Sequence, residues 1–323
     1  MTRAIRIHET GGTEVLRWEA VDVPPPGPDE ITIRHTAIGL NFIDIYHRTG
    51  IYPTPLPAVI GSEGAGVVEV VGGGVEDFQP GDRVAYASVI GADAERRNIA
   101  AGRVVKLPDD IDDELAAACM LKGLTAHSLI RRAYPVKAGE TILVHAAAGG
   151  TGLILCQWAS SLGATVIGTV GSREKAALAA ANGCHHPVLY REVDFVEAVR
   201  ELTGGAGLPV VYDSVGRDTF MKSLDCLQPF GIMVSYGQAS GRVEPLDIIK
   251  LARKGALYLT RPSLPVYIAR REHLLWAAGD LFDVLRSGAV RVDIAARYPL
   301  AEAARAQADL EGRRTAGSSI LVP

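Results

Sequence analysis

Apolar residues along this chain follow two rhythms, and the change of rhythm divides it. Over residues 1 to about 120, the stretches 5–8, 30–37, 65–71 and 82–87 alternate or run β-branched. Turn clusters separate them: Gly11-Gly12, Pro24-Pro25-Pro26-Gly27-Pro28, Gly72-Gly73-Gly74 and Gln79-Pro80-Gly81-Asp82. Short strands at that spacing predict a small, mainly β barrel. From Pro108 the pattern turns helical. Residues 109–132 start acidic, pass through alanines and end basic, which complements the helix dipole, with Gly123 as an expected break. Beyond them, short apolar strands at 141–145, 164–170, 188–190, 209–214 and 231–238 alternate with helical stretches at 173–181 and 195–202. That alternation predicts a doubly wound parallel sheet, an α/β unit. Residues 256–261 read as a last strand at the sheet's edge, 269–288 as an amphipathic helix, and the tail returns to short strands that rejoin the first unit.

The stretch 140–175 carries the densest chemical signal. After the strand 141–145, Ala146, Gly149 and Gly152 occupy the three small-residue positions of a dinucleotide fingerprint, with Ala in place of the first Gly. One serves a tight turn, one lets backbone approach a pyrophosphate, and one lets a helix pack close to the sheet. The following helix carries Leu155, Trp158, Ala159 and Leu162 on one face and stops at Gly163, so its first amides point at bound phosphate. An ordinary Gly-rich turn is the competing reading. About 20 residues on, where an acidic side chain would hold the ribose of NAD, the chain reads Gly171-Ser172-Arg173-Glu174-Lys175. A hydroxyl and two cations there suit a 2′-phosphate, hence NADP; the alternative is a solvated first helical turn. Ser214, Gly237 and Gln238 fall at the carboxyl ends of later strands, where ligands bind in such sheets.

In the first unit two stretches, 39–46 with Tyr52-Pro53 and 61–66, read as loops that mix Asn41, Asp44, Tyr46, Tyr52 and Glu63 with apolar neighbours. An orienting pocket is built that way, but tyrosines packed in a core with satisfied hydroxyls give the same pattern.

Bulk properties narrow the classes. A chain of 323 residues favours two domains, and a formal charge of −4 offers no general attraction to nucleic acid or anionic membrane. Cys119, Cys156, Cys184 and Cys226 form no CxxC pair and read as buried, reduced thiols. The N-terminal residues show no secretory pattern and no run approaches the ~18 apolar residues of a spanning helix, so the cytosol is expected.

Several stretches together resemble one family: Gly39-Leu40-Asn41-Phe42-Ile43-Asp44, Lys122-Gly123-Leu124-Thr125, residues 145–152, Tyr212-Asp213-Ser214-Val215-Gly216-Arg217-Asp218 and Thr260-Arg261-Pro262-Ser263-Leu264. The chain resembles, over essentially its whole length, the NADPH-dependent quinone oxidoreductases of the medium-chain dehydrogenase/reductase superfamily, the zeta-crystallin-like branch, and the bacterial quinone reductases in particular. The resemblance implies a Rossmann NADP-binding domain over 122–262 and a GroES-like domain over 1–121 and 263–323, with the reaction in a cleft between them. Relatives that use zinc carry Cys where this chain has Asn41 and His where it has Ser62, and residues 89–103 lack the structural-zinc cysteines. No metal is therefore expected. Quinones accept hydride far more readily than simple ketones, which suits that loss. Asn41, Tyr46 and Tyr52 are the candidate orienting or polarising donors. The cofactor contacts implied are Asn41, Phe42 and Tyr46 at the nicotinamide; Gly149, Gly150 and Thr151 at the pyrophosphate; and Gly171, Ser172, Lys175 and Tyr190 at the adenosine phosphate. Gly237, Gln238, Ser240, Pro262, Ser263, Leu264 and Arg313 complete them, and Arg173 joins on charge alone. Reduction of α,β-unsaturated ketones or aldehydes is the neighbouring expectation. Binding of single-stranded RNA, associated with crystallin-type relatives, fits poorly: Arg96-Arg97, Arg131-Arg132, Arg270-Arg271 and Arg313-Arg314 are scattered on an acidic chain. An exposed edge strand at 256–261 would pair two copies into a homodimer.

Overall fold

The computed structural model describes all 323 residues, Met1–Pro323. Packing divides them into one unit of Met1–Leu124, Ile268–Gly279 and Val292–Pro323, and a second of Thr125–Tyr267 and Asp280–Arg291.

In the first unit, the strand Glu30–Gly39 organises a seven-stranded sheet, pairing antiparallel with Glu63–Val71, Arg96–Ala100 and Ser318–Val322. Arg83–Ala87 and Val105–Lys106 extend one side and Ile294–Pro299 the other. A second sheet sets Thr2–Ile7 between Arg17–Val21 and Ala58–Val59. The alternating apolar side chains Ile5, Ile7, Ile31, Ile33, Ile38 and Val84 meet in one core, which is what the period of two requires. The returning tail takes its expected place, with Ile320 opposite Gly39 and Leu321 opposite Ile38.

The second unit is a six-stranded, all-parallel sheet in the spatial order His186–Leu189, Thr165–Val170, Thr141–Val144, Leu208–Asp213, Leu227–Ser235 and Tyr258–Thr260. Numbered along this unit that order is 3-2-1-4-5-6, so the direction of winding switches beside Thr141–Val144. Leu143, Ile167 and Val211 are wholly buried, as strands covered on both faces must be.

Five sequence expectations give way. The stretches 39–46 and 61–66 are not loops: the helix Phe42–Arg48 starts inside the first and the strand Glu63–Val71 inside the second. Gly123 does not break its helix, which runs Asp113–Ser128 and continues as a wide turn, Leu129–Ala133. Burial of Ala116, Ala117, Ala118, Met120 and Leu124 on that element outweighs a glycine's cost of about 1 kcal/mol. The tail holds a helix, Ala303–Glu311, between its two strands. Lastly, Asp280–Arg291 groups with the second sheet, not with the first unit as the boundary at 263 implies. There His127 Nε2 lies 3.0 Å from Asp280 Oδ2, and the Gln157 side-chain amide donates to Arg291 O at 3.0 Å and accepts from Arg291 N at 2.8 Å.

Candidate active site

The six parallel strands end in register, Gly168 opposite Val144, Val170 opposite Leu189, Asp213 opposite Ser235, and Val234 opposite Thr260. The candidate residues of the second unit all follow those ends. Gly149 caps the helix Gly150–Ser161 with extended backbone, leaving the first amides of three helical turns without helical acceptors. Ala146 takes the turn at φ +53°, a left-handed conformation that costs an alanine about 1–2 kcal/mol. A β-carbon on Gly152 would stand 2.3 Å from the Ala146 carbonyl oxygen, so that position admits only glycine. His145, next to this turn, is structural. Its nitrogens lie 2.8 Å from Thr169 Oγ1 and 2.9 Å from Ser223 Oγ, and burial lowers its basicity.

The neighbouring strand end, after Val170, is the polar one. Ser172 Oγ caps the helix Arg173–Ala181 by accepting from Lys175 N at 3.3 Å. The Tyr190 hydroxyl stands over Gly171, 3.2 Å from where a β-carbon would be. The Ser172 and Tyr190 hydroxyls thus flank a bare backbone at a helix N-terminus, with Lys175 in the first helical turn, an arrangement that could receive an anionic group. Arg173 differs: its guanidinium is largely exposed and pairs with Glu192 at 3.3 Å.

Farther along the edge, Gly237 allows its loop to pass Ser214, whose carbonyl would lie 2.4 Å from a β-carbon there. Arg261 donates to the Gly237 oxygen at 2.8 Å and so anchors this loop. The Ser240 hydroxyl donates to Val215 O at 2.8 Å and accepts from Asp218 N at 3.0 Å, which engages it within the loop. Gln238 lies in the same loop, and Pro262, Ser263 and Leu264 follow the edge strand.

Asn41, Phe42, Tyr46, Tyr52 and Arg313 belong to the first unit. Phe42 and Tyr46 share one face of the helix Phe42–Arg48, their rings 6.0 Å apart, and Tyr52 stands edge-on to Tyr46 at 5.2 Å. Arg313 sits after the helix Ala303–Glu311 with φ +58°. The expectation that Asn41 is a hydrogen-bond donor to substrate needs correction. Its Nδ2 donates to Glu63 Oε2 at 2.7 Å and to Gly39 O at 3.3 Å, and both partners are pure acceptors, so both amide hydrogens face inward. Its backbone N–H in turn donates to Asp44 Oδ2 at 2.9 Å. Asn41 therefore fastens the start of the helix.

Sequence reasoning named Glu63 among the polar residues of a pocket and Lys122 in a family stretch, but did not bring the two charges together behind Asn41. Glu63 is completely buried; besides Asn41, its Oε2 meets Lys122 Nζ at 3.2 Å and its Oε1 accepts from Leu121 N at 2.6 Å. A lysine inside an apolar helical run was the available signal. Two further buried carboxyls lie near. Burial, with the nearby Glu63 charge, raises Asp44 to about 7, against the Ser62 hydroxyl, the Asn41 amide and Lys122. Burial and then the Asp44 charge raise Asp93 well above the carboxylate range. Asp44 Oδ1, Ser62 Oγ and Asp93 Oδ2 have no hydrogen-bond partner in place. No three His, Cys, Asp or Glu side chains are arranged to hold a metal ion.

A 3-2-1-4-5-6 parallel sheet with phosphate-type turns, joined to a β unit, defines a medium-chain dehydrogenase/reductase. Two family profiles agree: "Alcohol dehydrogenase GroES-like domain" matches residues 27–112 and "Zinc-binding dehydrogenase" residues 150–260. A quinone oxidoreductase of Pseudomonas aeruginosa is 50% identical over 100% of both chains. The crystal structure of Escherichia coli quinone oxidoreductase complexed with NADPH superposes with a TM-score of 0.98 at 50% identity, again over 100% of both chains. A 2-haloacrylate reductase of a Burkholderia species is 46% identical over 100% of this chain and 99% of its own. The chain belongs to the quinone oxidoreductase family.

Proposed function

We propose that this protein transfers hydride from NADPH to a quinone. The observation that carries the reading is full-length, 50% identity to quinone oxidoreductases, one of them solved with NADPH. The local chemistry agrees: Ser172, Lys175 and Tyr190 gather where a 2′-phosphate distinguishes NADPH from NADH, and no acidic side chain stands first in that turn.

When bound, NADPH supplies the hydride. The chain's own part is to bind, orient and exclude water. Backbone at Gly149, Gly150 and Thr151 receives the pyrophosphate on a helix N-terminus. Gly171, Ser172, Lys175 and Tyr190 hold the adenosine phosphate, with Arg173 contributing longer-range charge. The segments at Gly237, Gln238 and Ser240 and at Pro262, Ser263 and Leu264 are the second unit's remaining contacts, and Arg313 is one of the first unit's. Asn41, Phe42 and Tyr46 form the nicotinamide side, Asn41 by fixing the helix. Tyr46 and Tyr52 are the donors to the acceptor oxygen that gains charge as hydride arrives, each carrying its proton at Oη. A quinone needs no Lewis acid for this, which suits Asn41 and Ser62 at the positions where zinc-using relatives carry ligands.

A second acceptor class has its own support. The 46% likeness to a 2-haloacrylate reductase favours activated alkenes, whose carbonyl or carboxylate oxygen would take the same tyrosine hydrogen bonds. Purified protein assayed for NADPH oxidation with 1,2-naphthoquinone, a simple enone and 2-chloroacrylate in parallel, and with NADH as cofactor control, decides between them. Quinone turnover with NADPH alone is the expected result; turnover of the alkenes only would move the assignment to the second class.

No helix is long and apolar enough to cross a membrane. That, with four buried free cysteines, supports a cytosolic location. The strand Tyr258–Thr260 ends its sheet with Tyr258 and Leu259 exposed, which supports pairing of two copies edge to edge.

A further inference from the structure

We propose that Glu63 and Lys122 are positioning residues for this reaction: a buried ion pair that holds the helix bearing Phe42 and Tyr46 in place through Asn41. The inference rests on the functional reading above only for what the helix presents; the clamp itself rests on geometry within the first unit.

The helix Phe42–Arg48 has seven residues, too few to persist without anchors at both ends. Its far end has one: Arg48, almost wholly buried, donates at 2.8 Å to both Gln307 Oε1 and Glu311 Oε2 of the helix Ala303–Glu311, and at 3.2 Å to Gly11 O. The near end, beside Phe42 and Tyr46, depends on Asn41. Asn41 depends in turn on Glu63 Oε2 at 2.7 Å, and that same oxygen on Lys122 Nζ at 3.2 Å. Glu63 Oε1 meanwhile takes the Leu121 amide at 2.6 Å, so one carboxylate joins the helix Asp113–Ser128 to the start of Phe42–Arg48.

Charge explains why the pair occurs together. A carboxylate with no exposed surface is tolerated only when hydrogen-bonded and neutralised, and Asp44 and Asp93 lie in the same buried region. Lys122 is the only cation paired with Glu63 in the structure. Removing its ammonium leaves Glu63 an uncompensated buried charge; removing the carboxylate leaves the ammonium so. Removing both charges leaves neither, although the Asn41 bond is weaker.

The test compares Glu63→Gln, Lys122→Met and the neutral double variant. Hydrogen exchange of the amides of residues 41–48 is followed by mass spectrometry on the unliganded protein, with NADPH affinity by fluorescence titration and kcat for whichever acceptor the wild type turns over. Both single variants are expected to exchange at residues 41–48 at least tenfold faster, with the second unit's parallel strands unchanged. Misplacing a reacting group by about 1 Å costs on the order of 100-fold, so kcat falls by roughly that factor while NADPH affinity stays within about threefold. The double variant is expected to recover at least tenfold over Lys122→Met in both readouts; if a single variant fails to fold, the double variant against wild type carries the comparison. Unchanged exchange at 41–48, a double variant no better than Lys122→Met, or a loss that follows NADPH affinity would each overturn the clamp. A wild type inactive on every quinone would count against the functional reading alone, since the exchange result still decides the clamp.

Discussion

Gly39 and Glu63 are packed so closely that no side chain fits at residue 39. A β-carbon there would lie 2.0 Å from Glu63 Oε2 and 2.2 Å from the carbonyl oxygen of Ala117. Because Glu63 is held by three hydrogen bonds, it cannot swing aside cheaply. Gly39→Ala is expected to cost about 1–3 kcal/mol, the usual penalty for overpacking a dense interior. Urea unfolding would show the midpoint fall with unchanged slope; an unaltered midpoint would mean that the strand Glu30–Gly39 relaxes at no cost.

The two cations of the turn at residues 171–175 are not equivalent. Lys175 lies in the first helical turn beside Ser172, whereas Arg173 is exposed and already paired with Glu192. A charge-assisted bond to phosphate is worth about 1.5–3 kcal/mol. Lys175→Ala should therefore raise the dissociation constant for NADPH roughly 10- to 100-fold and leave that for NADH nearly unchanged. Arg173→Ala should change it by less than about fivefold, since exposed pairs contribute little. Equal losses for NADPH and NADH in the Lys175 variant would remove it from the phosphate site.

Tyr46 and Tyr52 touch edge to face at 5.2 Å, a contact that phenylalanine preserves. Tyr46→Phe and Tyr52→Phe thus separate packing from chemistry. If the hydroxyls serve the acceptor oxygen, kcat drops on the order of 100-fold in at least one variant with melting temperature within a few degrees of wild type. Full activity in both, with either melting point lowered, would make the cluster a core element.

Asp44 and His35 titrate with opposite consequences for stability. Burial raises Asp44 to about 7 from an ordinary 3.8, so between those values the folded chain holds a proton that the unfolded chain releases. Its contribution is fully present below pH 3.8 and disappears as pH climbs through 7. His35, buried and bonded to Tyr86 Oη at 2.8 Å and Ala94 O at 2.6 Å, is lowered to about 4 from 6.5 by burial, despite the Ala94 bond and with help from Arg97. It favours the folded state above pH 6.5 and costs stability as pH falls toward 4. Between about pH 4 and 6.5 the two slopes oppose each other. Asp44→Asn should then make stability rise more steeply with pH than in wild type, by up to about 1.4 kcal/mol per pH unit, in unfolding curves taken at pH 4.5, 5.5 and 6.5. Parallel pH profiles would show that Asp44 is ionised in the folded chain throughout.

Edge pairing is checked by mass in solution. Sedimentation equilibrium should give twice the 34.2 kDa chain mass, and Tyr258→Arg with Leu259→Arg should give the single chain, because a charged edge resists pairing. A wild-type monomer, or a dimer indifferent to both changes, would place any contact elsewhere.

Much of this molecule is readable from residue order, because local pattern and final environment agree. The helices Arg173–Ala181 and Phe195–Leu202 fall where capping residues and glycine stops put them, and the parallel sheet follows from its apolar runs. Asn41 was found but its direction was not: whether an amide faces substrate or core depends on Glu63, which reaches it from the paired strand 22 positions on. Lys122 was hidden for a related reason. An ammonium in an apolar helix has meaning only once its counter-charge is known, and that carboxylate lies 59 positions away. Helix Phe42–Arg48 is too short for periodicity to announce, and the continuous helix at Gly123 reflects burial that propensity does not contain.

The pairing of Ser318–Val322 with Glu30–Gly39 sets an order of events during synthesis. One of the two partners of the strand end leading to Asn41 emerges only after the entire second sheet has been translated, and Leu40 waits for the same segment, its amide bonded to Ser319 O at 3.1 Å. On the ribosome, then, the parallel sheet can close while Gly39 still presents an open edge. In chain order the parallel sheet is complete first, and the sheet that leads into Asn41 is closed last.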